Sequence, residues 1–284
     1  MLINYPVNKA STVREFLESF YLSKSKIYTL FFENKILVND HKCKERDLIK
    51  VGDIITIDHD EEIDYKIKNG KLDILYEDQY FLIINKPYGI IIHNGKDNDD
   101  ALCNLVAGYY KENGISLNIR FAHRIDTDTT GIIVFCKDIL TLSYMNHFIE
   151  THEIRRAYRL LVSGYFKNKK GVIDKPIGED RHSNSRMRIS NTGKESITEY
   201  EVLKQFNNIS YVECKLKTGR KHQIRVHMAS LNHPLLGDTL YGGDNKLIKR
   251  VALHSYNIKF IHPFFNEEMD ITAKLPIDMN NILK

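Results

Sequence analysis

Short apolar runs separated by polar turns dominate the chain after residue 72, and this pattern constrains the fold more than any other feature of the sequence. The runs read YFLIIN, GIIIH, GIIVFCK, YRLLVSG, ITEYEVL and ISYVECKLKTG. Runs of this length that are rich in β-branched and aromatic residues are typical of β-strands. No glycine-rich phosphate loop follows any of them, which argues against a fold that binds a nucleotide cofactor. We therefore expect a mixed, mainly antiparallel sheet.

Two helices are predicted to flank this sheet. The first follows Asp138, and its apolar positions recur at helical spacing on one face: Ile139, Leu142, Met145 and Ile149. The second is expected over residues 224–231, after Gly219.

The first 58 residues have the pattern of a smaller α/β unit. A helix should begin after Ser11 or Thr12 and a second at Ser23, because apolar residues then recur at helical spacing. Two short apolar runs, Ile36–Val38 and residues 54–57, predict strands.

Residues 59–71 are mostly charged and include Gly70, a composition typical of a linker. We expect an α+β protein with a small domain over residues 1–58 and a larger domain over residues 72–284. The larger domain should contain a complete core of its own and fold without the smaller one.

The composition excludes several protein classes. A net charge of +4 permits a polyanionic partner without requiring one. The 4 cysteines are widely separated, so neither a zinc site nor a disulfide framework is favoured, and we expect a reduced, cytoplasmic protein. No apolar stretch reaches the roughly 18 residues of a membrane span, and the N-terminal residues do not resemble a signal peptide.

The segment HRIDTDTTG, residues 123–131, is the first candidate for chemistry. Asp126 lies in a polar turn just before an apolar strand, with Arg124 nearby, so its carboxylate should stay ionised and reachable by a substrate. Such a carboxylate suits a nucleophile. The alternative is that Asp126 and Thr129 only stabilise a turn, as Asp and Thr often do.

The segment TGRKHQIRVHMASLNHPLLGDTLYGG, residues 218–243, is the second candidate. Basic side chains follow what should be a loop entering a helix, and they predict a basic cleft edge: Arg220, Lys221, His222, Arg225 and His227. The alternative is a solvated helix face with buried histidines. The histidines do not have metal-ligand spacing, so we expect a metal-free site.

The segment RRAYRLLVSG places Tyr158 among three arginines at the start of a strand. An aromatic ring between arginines can stack on a nucleic-acid base while the guanidinium groups hold phosphates. The alternative is a tyrosine that only covers a sheet edge.

The segment NKPYG ends a strand in a rigid turn, because Pro87 fixes the backbone and Gly89 permits tight geometry. Structural support and a phosphate contact are the two interpretations of Lys86.

Taken in chain order, NKPYG, HRIDTDTTG, RRAYRLLVSG and residues 218–243 resemble the RluA-type pseudouridine synthase family. HRIDTDTTG is similar to the family's His-Arg-Leu-Asp-x-x-Thr-Ser-Gly motif, and GRKHQIRVH, HPLLGDTLYGG and VALHSYNIKFIHPF match later signatures. The resemblance covers residues 75–275. Arg156 stands where that family commonly has lysine. Residues 11–58 resemble the alpha-L RNA-binding motif.

The resemblance implies the pseudouridine synthase fold and an isomerase that converts uridine to pseudouridine in structured RNA without a cofactor. Asp126 would be the catalytic carboxylate and Arg225 its partner. Tyr158 would stack on the base and assist proton transfer. Arg124 would hold the extruded nucleotide or fill the gap that it leaves, and Ile224 would line the pocket.

Other candidate residues complete the predicted RNA contacts. In the catalytic domain, the remaining substrate-binding candidates are His123, Thr129, Arg220 and Lys86. In the N-terminal domain, phosphate contacts are expected from Arg14, Lys24 and Lys26.

Large-subunit ribosomal RNA is the expected substrate, with transfer RNA as the alternative. A non-catalytic RNA-binding or ribosome-assembly protein is the rival from another class. A glycoside hydrolase using Asp126 and Asp128 is disfavoured because the chain has no tryptophan to form a sugar platform. We expect a monomer with no obligate protein partner and no membrane association.

Overall fold

The computed structural model describes residues 1–96, 98, 100–180 and 183–284, apart from the side chains of residues 183–185. The N-terminal part contains strands β1 (Leu2–Pro6), β2 (Ser11–Thr12), β3 (Ile36–Val38), β4 (His41–Lys42), β5 (Leu48–Ile49) and β6 (Ile54–Asp58), with helices α1 (Val13–Ser19) and α2 (Lys24–Phe32). Its main sheet has the order β1-β6-β3-β4 and is antiparallel.

Local capping sets both N-terminal helices where the sequence predicts them. The Thr12 hydroxyl accepts the Glu15 backbone N–H at 3.2 Å, and the Glu15 carboxylate accepts the Thr12 N–H at 2.8 Å. This reciprocal pair is a capping box. At α2 the Ser23 hydroxyl accepts the Lys26 backbone N–H at 3.4 Å, a cap without the reciprocal bond. Strand β1 was not expected.

The remaining strands are β7 (Ile74–Glu77), β8 (Phe81–Lys86), β9 (Thr130–Cys136), β10 (Arg155–Ser163), β11 (Lys170–Asp174), β12 (Ile177–Asp180), β13 (Ser183–Ile189), β14 (Ile197–Phe206), β15 (Ile209–Leu216), β16 (Leu253–Ile261) and β17 (Glu268–Thr272). The helices are α3 (Leu102–Glu112), α4 (Ile139–Glu150), α5 (Gln223–Ser230) and α6 (Ile277–Leu283), with a 3₁₀ turn over Thr239–Tyr241.

The large sheet has the order β11-β14-β15-β10-β16-β9-β8-β7, and β17 pairs with β16. Its neighbouring strands are antiparallel except β9 and β16, which confirms the expected mixed, mainly antiparallel sheet. The parallel contact joins Thr130 to His254 and Gly131 to Ser255. A Cβ on Gly131, whose φ is 108°, would lie 2.2 Å from the Ser255 carbonyl oxygen, so this close approach requires glycine.

Helices α4 and α5 form where the sequence predicts them, but the predicted face of α4 is partly wrong. Its buried residues are Leu140, Thr141 and Met145, whereas Ile139, Leu142 and Ile149 are only partly buried at the margin of the core. The Asp138 carboxylate caps the helix from inside the protein and bonds the Thr141 hydroxyl, which turns position 141 inward. Helices α3 and α6 were not expected. No helix in the described ranges has the length and apolarity needed to cross a membrane.

The apolar core continues across the expected domain boundary, since one cluster of buried side chains includes residues from both parts of the chain. Phe264 packs against Tyr5 and Phe20 of the N-terminal part, with ring centroids 5.0 and 4.9 Å apart, and against Tyr80 at 4.1 Å. The Tyr80 hydroxyl also donates to the Asn4 carbonyl at 2.6 Å.

The expected linker, residues 59–71, packs on the larger part of the chain. Glu61 pairs with Arg120, and the Asp64 carboxylate accepts the Ile119 N–H at 2.8 Å. The Tyr65 side chain is buried. The segment is therefore packed in place against the residues that precede β9.

The shared aromatic cluster should contribute strongly to stability. We expect Phe264→Ala to lower the free energy of unfolding by about 3–5 kcal/mol, since it removes a buried ring that both parts of the chain contact. Phe32→Ala is the matched control because Phe32 is 72% exposed, and it should cost less than about 1 kcal/mol. Urea unfolding of both variants measures the difference. Equal losses would show that Phe264 does not join the two parts energetically.

Candidate active site

A cleft of about 1070 Å³ brings together segments that are far apart in the sequence. Its walls come from the turn before β9, the start of β10, the passage from β15 into α5, and the segments around residues 237–240 and 249–253. Most of the predicted site residues line it: His123, Arg124, Asp126, Thr129, Tyr158, Arg220, Ile224 and Arg225. Lys86, Arg14, Lys24 and Lys26 are not among the lining residues.

Asp126 lies in a turn that is closed by its own backbone. Its carbonyl accepts the Thr129 N–H at 3.0 Å. The Asp126 side chain is 28% exposed, and its Oδ2 lies 3.6 Å from Nη1 of Arg225 and 3.8 Å from Nε2 of His222. The carboxylate therefore faces the cleft with a cation beside it.

Arg225 is held in place by a second carboxylate. Its Nε and Nη2 donate to the two oxygens of Asp238 at 2.7 and 2.8 Å, and Asp238 is buried. The guanidinium carbon also lies 5.0 Å from the centre of the Tyr241 ring. This two-bond pairing fixes the guanidinium plane and directs Nη1 toward Asp126.

His222 occupies a strained position just before α5. Its φ is 56°, an uncommon conformation for a residue other than glycine. The Tyr241 hydroxyl accepts the Met187 N–H at 2.9 Å and lies 2.8 Å from Nδ1 of His222. Burial lowers the pKa of His222, while the charge of Asp126 acts in the opposite sense.

Asp238 and Tyr241 are functional candidates that the sequence analysis missed. Both lie in HPLLGDTLYGG, a segment that resembles a family signature but for whose acidic and aromatic residues the sequence predicted no role. The sequence did contain an indication of their role, because this largely apolar segment carries one carboxylate and one phenol shortly after several basic residues.

Tyr158 forms part of the cleft wall. A β-bulge separates it from Ala157, and Tyr158 pairs with Ser255 of β16. Bulges of this kind often redirect a side chain near a site. The ring packs with Ile224 in one apolar cluster, and burial raises the pKa of the phenol.

The other predicted substrate-binding residues differ in exposure. Arg124 is exposed in the cleft, whereas His123 and Thr129 are buried in its wall. Arg220 is exposed and its Nε donates to the Glu195 carbonyl at 3.0 Å.

The expectation that Lys86 contacts a phosphate is wrong. The Lys86 side chain is fully buried, and its Nζ donates to the carbonyls of Pro87, Ile90 and Thr127 at 3.0, 2.9 and 3.0 Å. Thr127 follows Asp126 directly, so Lys86 supports the turn that carries the carboxylate. The contacts favour the interpretation of Lys86 as structural support for the turn.

Burial lowers the pKa of Lys86 from 10.5 to about 8, although Asp128 and Asp126 act in the opposite sense. Between these pH values the unfolded chain holds a proton that the folded protein lacks, so stability rises as pH rises from about 8 to about 10.5. We expect the wild type to gain on the order of 3 kcal/mol across this window relative to Lys86→Met. Urea unfolding at both ends of the window measures it. Parallel pH profiles for the two proteins would contradict this assignment.

The predicted N-terminal RNA contacts lie away from the cleft. Lys24 and Lys26 are exposed on α2, where a phosphate could reach them. Arg14 instead pairs with Glu18 at 2.9 Å and with Glu45 at 2.6 Å, so a phosphate would have to compete with two carboxylates. Within the described part of the chain, no group of three or more His, Cys, Asp or Glu side chains is placed to hold a metal ion.

Comparison with known proteins finds that the chain is similar to the members of one family. Residues 80–230 match the RNA pseudouridylate synthase family. The chain is 40% identical over 267 residues to the uncharacterized RNA pseudouridine synthase YhcT of Bacillus subtilis (strain 168), covering 92% of this chain and 88% of that protein. It is 35% identical over 277 residues to the ribosomal large subunit pseudouridine synthase D of Vibrio cholerae serotype O1, covering 90% and 85%.

Two solved structures share the fold. Human RNA Pseudouridylate Synthase Domain Containing 1 aligns with a TM-score of 0.62 at 24% identity, covering 73% of this chain and 86% of that chain. Human RNA Pseudouridylate Synthase Domain Containing 4 aligns with a TM-score of 0.63 at 24% identity, covering 74% and 91%.

Proposed function

Because the chain belongs to the RluA-type RNA pseudouridine synthase family, we propose that it isomerises specific uridines of large-subunit ribosomal RNA, with Asp126 as the essential carboxylate and no cofactor. The large-subunit assignment is supported by the names of relatives such as the Vibrio cholerae and Escherichia coli ribosomal large subunit pseudouridine synthases D, which align over 90% and 92% of this chain.

The observation that carries the proposal is the pairing of Asp126 with an arginine that another carboxylate fixes. Asp126 Oδ2 lies 3.6 Å from Arg225 Nη1, and the Asp238 pairing keeps Arg225 in place. The reaction detaches uracil from its ribose, rotates it and rejoins it through carbon 5. A carboxylate that faces the cleft beside a fixed cation is the group that such a reaction needs at the nucleotide.

Two further cleft residues have proposed roles. A uridine in structured RNA must leave its stack before it can react, at a cost of a few kcal/mol. Arg124 is exposed next to the reacting turn, so it can hold the extruded nucleotide or fill the gap that it leaves. Tyr158 lies in the cleft wall and offers its ring to the base.

Mapping pseudouridines in total RNA from cells with and without this protein tests the proposal. We expect one or more large-subunit ribosomal pseudouridines to disappear with the protein and to return with the wild-type gene. Loss confined to transfer RNA would overturn the substrate assignment. An unchanged map, together with no tritium release from labelled ribosomal RNA by the purified protein, would overturn the proposed function.

The Tyr158 hydroxyl should matter for turnover more than for binding. Tyr158→Phe keeps the ring that stacks on the base and loses the group that assists proton transfer. We therefore expect single-turnover rates to fall by about 10²-fold or more while RNA affinity changes little. Filter binding and single-turnover tritium release separate the two effects. A fully active variant would remove Tyr158 from the catalytic assignment.

A further inference from the structure

Arg156 is a buried cation in the wall of the active-site cleft. It is 8% exposed, and its Nε has no hydrogen-bond partner. Among the described residues, no carboxylate forms an ion pair with it. Burying a charge in this way is costly unless a counter-charge arrives. A group that binds in the cleft can supply that counter-charge.

The neighbouring arginines of β10 have different surroundings. Arg155 is exposed and does not line the cleft. Arg159 pairs with Glu213 at 2.8 Å, and its guanidinium carbon lies 4.6 Å from the centre of the Tyr256 ring. Of these three arginines, Arg156 alone lines the cleft and has no carboxylate partner.

Gly219 and His123 lie beside Arg156 in the wall of the cleft. A Cβ on Gly219 would lie at contact distance, 3.5 and 3.7 Å, from Nη2 and Nη1 of Arg156, so the guanidinium packs beside Gly219, an exposed residue that also lines the cleft. His123 lies buried close by, and neither of its ring nitrogens has a partner. Burial lowers the pKa of His123 to about 3, with Arg156 acting in the same sense, so the ring is neutral at physiological pH. A neutral imidazole can donate one N–H to an anion.

We propose that Arg156, with His123 beside it, binds a backbone phosphate that flanks the target uridine. This inference rests on the proposed function, because an RNA strand that presents its ribose to Asp126 also brings its phosphates into the cleft. A phosphate satisfies the guanidinium with a full counter-charge and two parallel hydrogen bonds, whereas the neutral carbonyls of uracil supply no charge. The cleft volume of about 1070 Å³ is sufficient for a nucleotide with its flanking phosphates.

The first experiment removes one phosphate charge at a time. An RNA carrying the mapped uridine is made with a neutral methylphosphonate on either its 5′ or its 3′ side. For the wild type, one of the two replacements should lower single-turnover kcat/KM by about 10- to 100-fold. Arg156→Gln should lower it by a similar factor on unmodified RNA and should lose little more on the modified RNA. Arg155→Gln, the adjacent exposed control, should keep the full response.

Two outcomes of this experiment overturn the inference. One is that the losses from Arg156→Gln and from each methylphosphonate multiply, since that shows independent contacts. The other is that neither methylphosphonate affects the wild type.

A second experiment needs no RNA, so it separates this inference from the proposed function. Thermal unfolding is followed with increasing inorganic phosphate at constant ionic strength set by chloride. The wild type and Arg155→Gln should gain several degrees in Tm, while Arg156→Gln should remain folded and gain little. Equal gains in all three proteins, or no gain in the wild type, would overturn the phosphate site even if pseudouridine formation is confirmed.

Discussion

Replacing Asp126 with asparagine should lower pseudouridine formation by about 10³-fold or more while leaving RNA affinity largely intact. The amide is nearly the same shape as the acid, but it cannot react as a carboxylate does. It also loses the electrostatic attraction between the carboxylate and the Arg225 guanidinium, whose Nη1 lies 3.6 Å from Asp126 Oδ2. Tritium release under single-turnover conditions measures the rate, and filter binding measures the affinity.

Asp128→Asn is the matched control, because Asp128 also lines the cleft two residues further along the same turn. It should reduce the rate by no more than about 10-fold. Comparable collapse of both variants would revive the interpretation in which two carboxylates act together. Retained turnover by Asp126→Asn would remove the central assignment.

Arg225→Lys should have the second largest effect, with a loss of about 10²-fold in the single-turnover rate. A lysine keeps the charge, but its single ammonium cannot make both bonds to Asp238 and also face Asp126. The carboxylate would then lose its fixed neighbour. A displacement of about 1 Å in a reacting group is enough for a loss of this size.

Arg250→Lys provides a control for lost stability. Arg250 makes the same two-bond pairing, with Asp278, at 2.7 and 2.8 Å. Arg250 also lines the cleft, but no ion pair or hydrogen bond between described residues joins it to Asp126. Arg225→Lys should therefore lose far more activity on RNA already bound at saturation, while urea unfolding measures the stability that each variant loses. Equal losses of activity would show that the position of Arg225 relative to Asp126 is not what matters.

Local signals explain the elements that the sequence predicts correctly. Thr12, Ser23 and Asp138 each cap the helix that follows, and a cap can be read from a few neighbouring residues. Helix α3 lacks such a signal, because Ala101 at its N-cap makes no side-chain capping bond. Strand β1 depends on pairing with β6, about fifty residues away, which no local pattern reveals.

The same distinction between local and long-range signals applies to the candidate site. The motif around Asp126 identifies the carboxylate because its chemistry and its turn are contiguous in sequence. The partnership between Arg225 and Asp238 is made only when the chain folds back after α5, so residue types alone did not reveal it. Lys86 shows the opposite error: a lysine in a turn suggests a phosphate contact, but three carbonyls enclose it in the folded protein.

The aromatic cluster that joins the two parts of the chain can form only after the segment around Phe264 has been synthesised. The Asn8 side chain bonds the Phe264 carbonyl, 256 residues further along the chain. At about 5–20 residues per second, roughly 13 to 50 s of synthesis separate the two groups. During that interval the faces of Tyr5 and Phe20 that contact Phe264 in the folded protein lack this partner ring. We therefore expect the N-terminal part to complete its packing only after the segment around Phe264 has been synthesised.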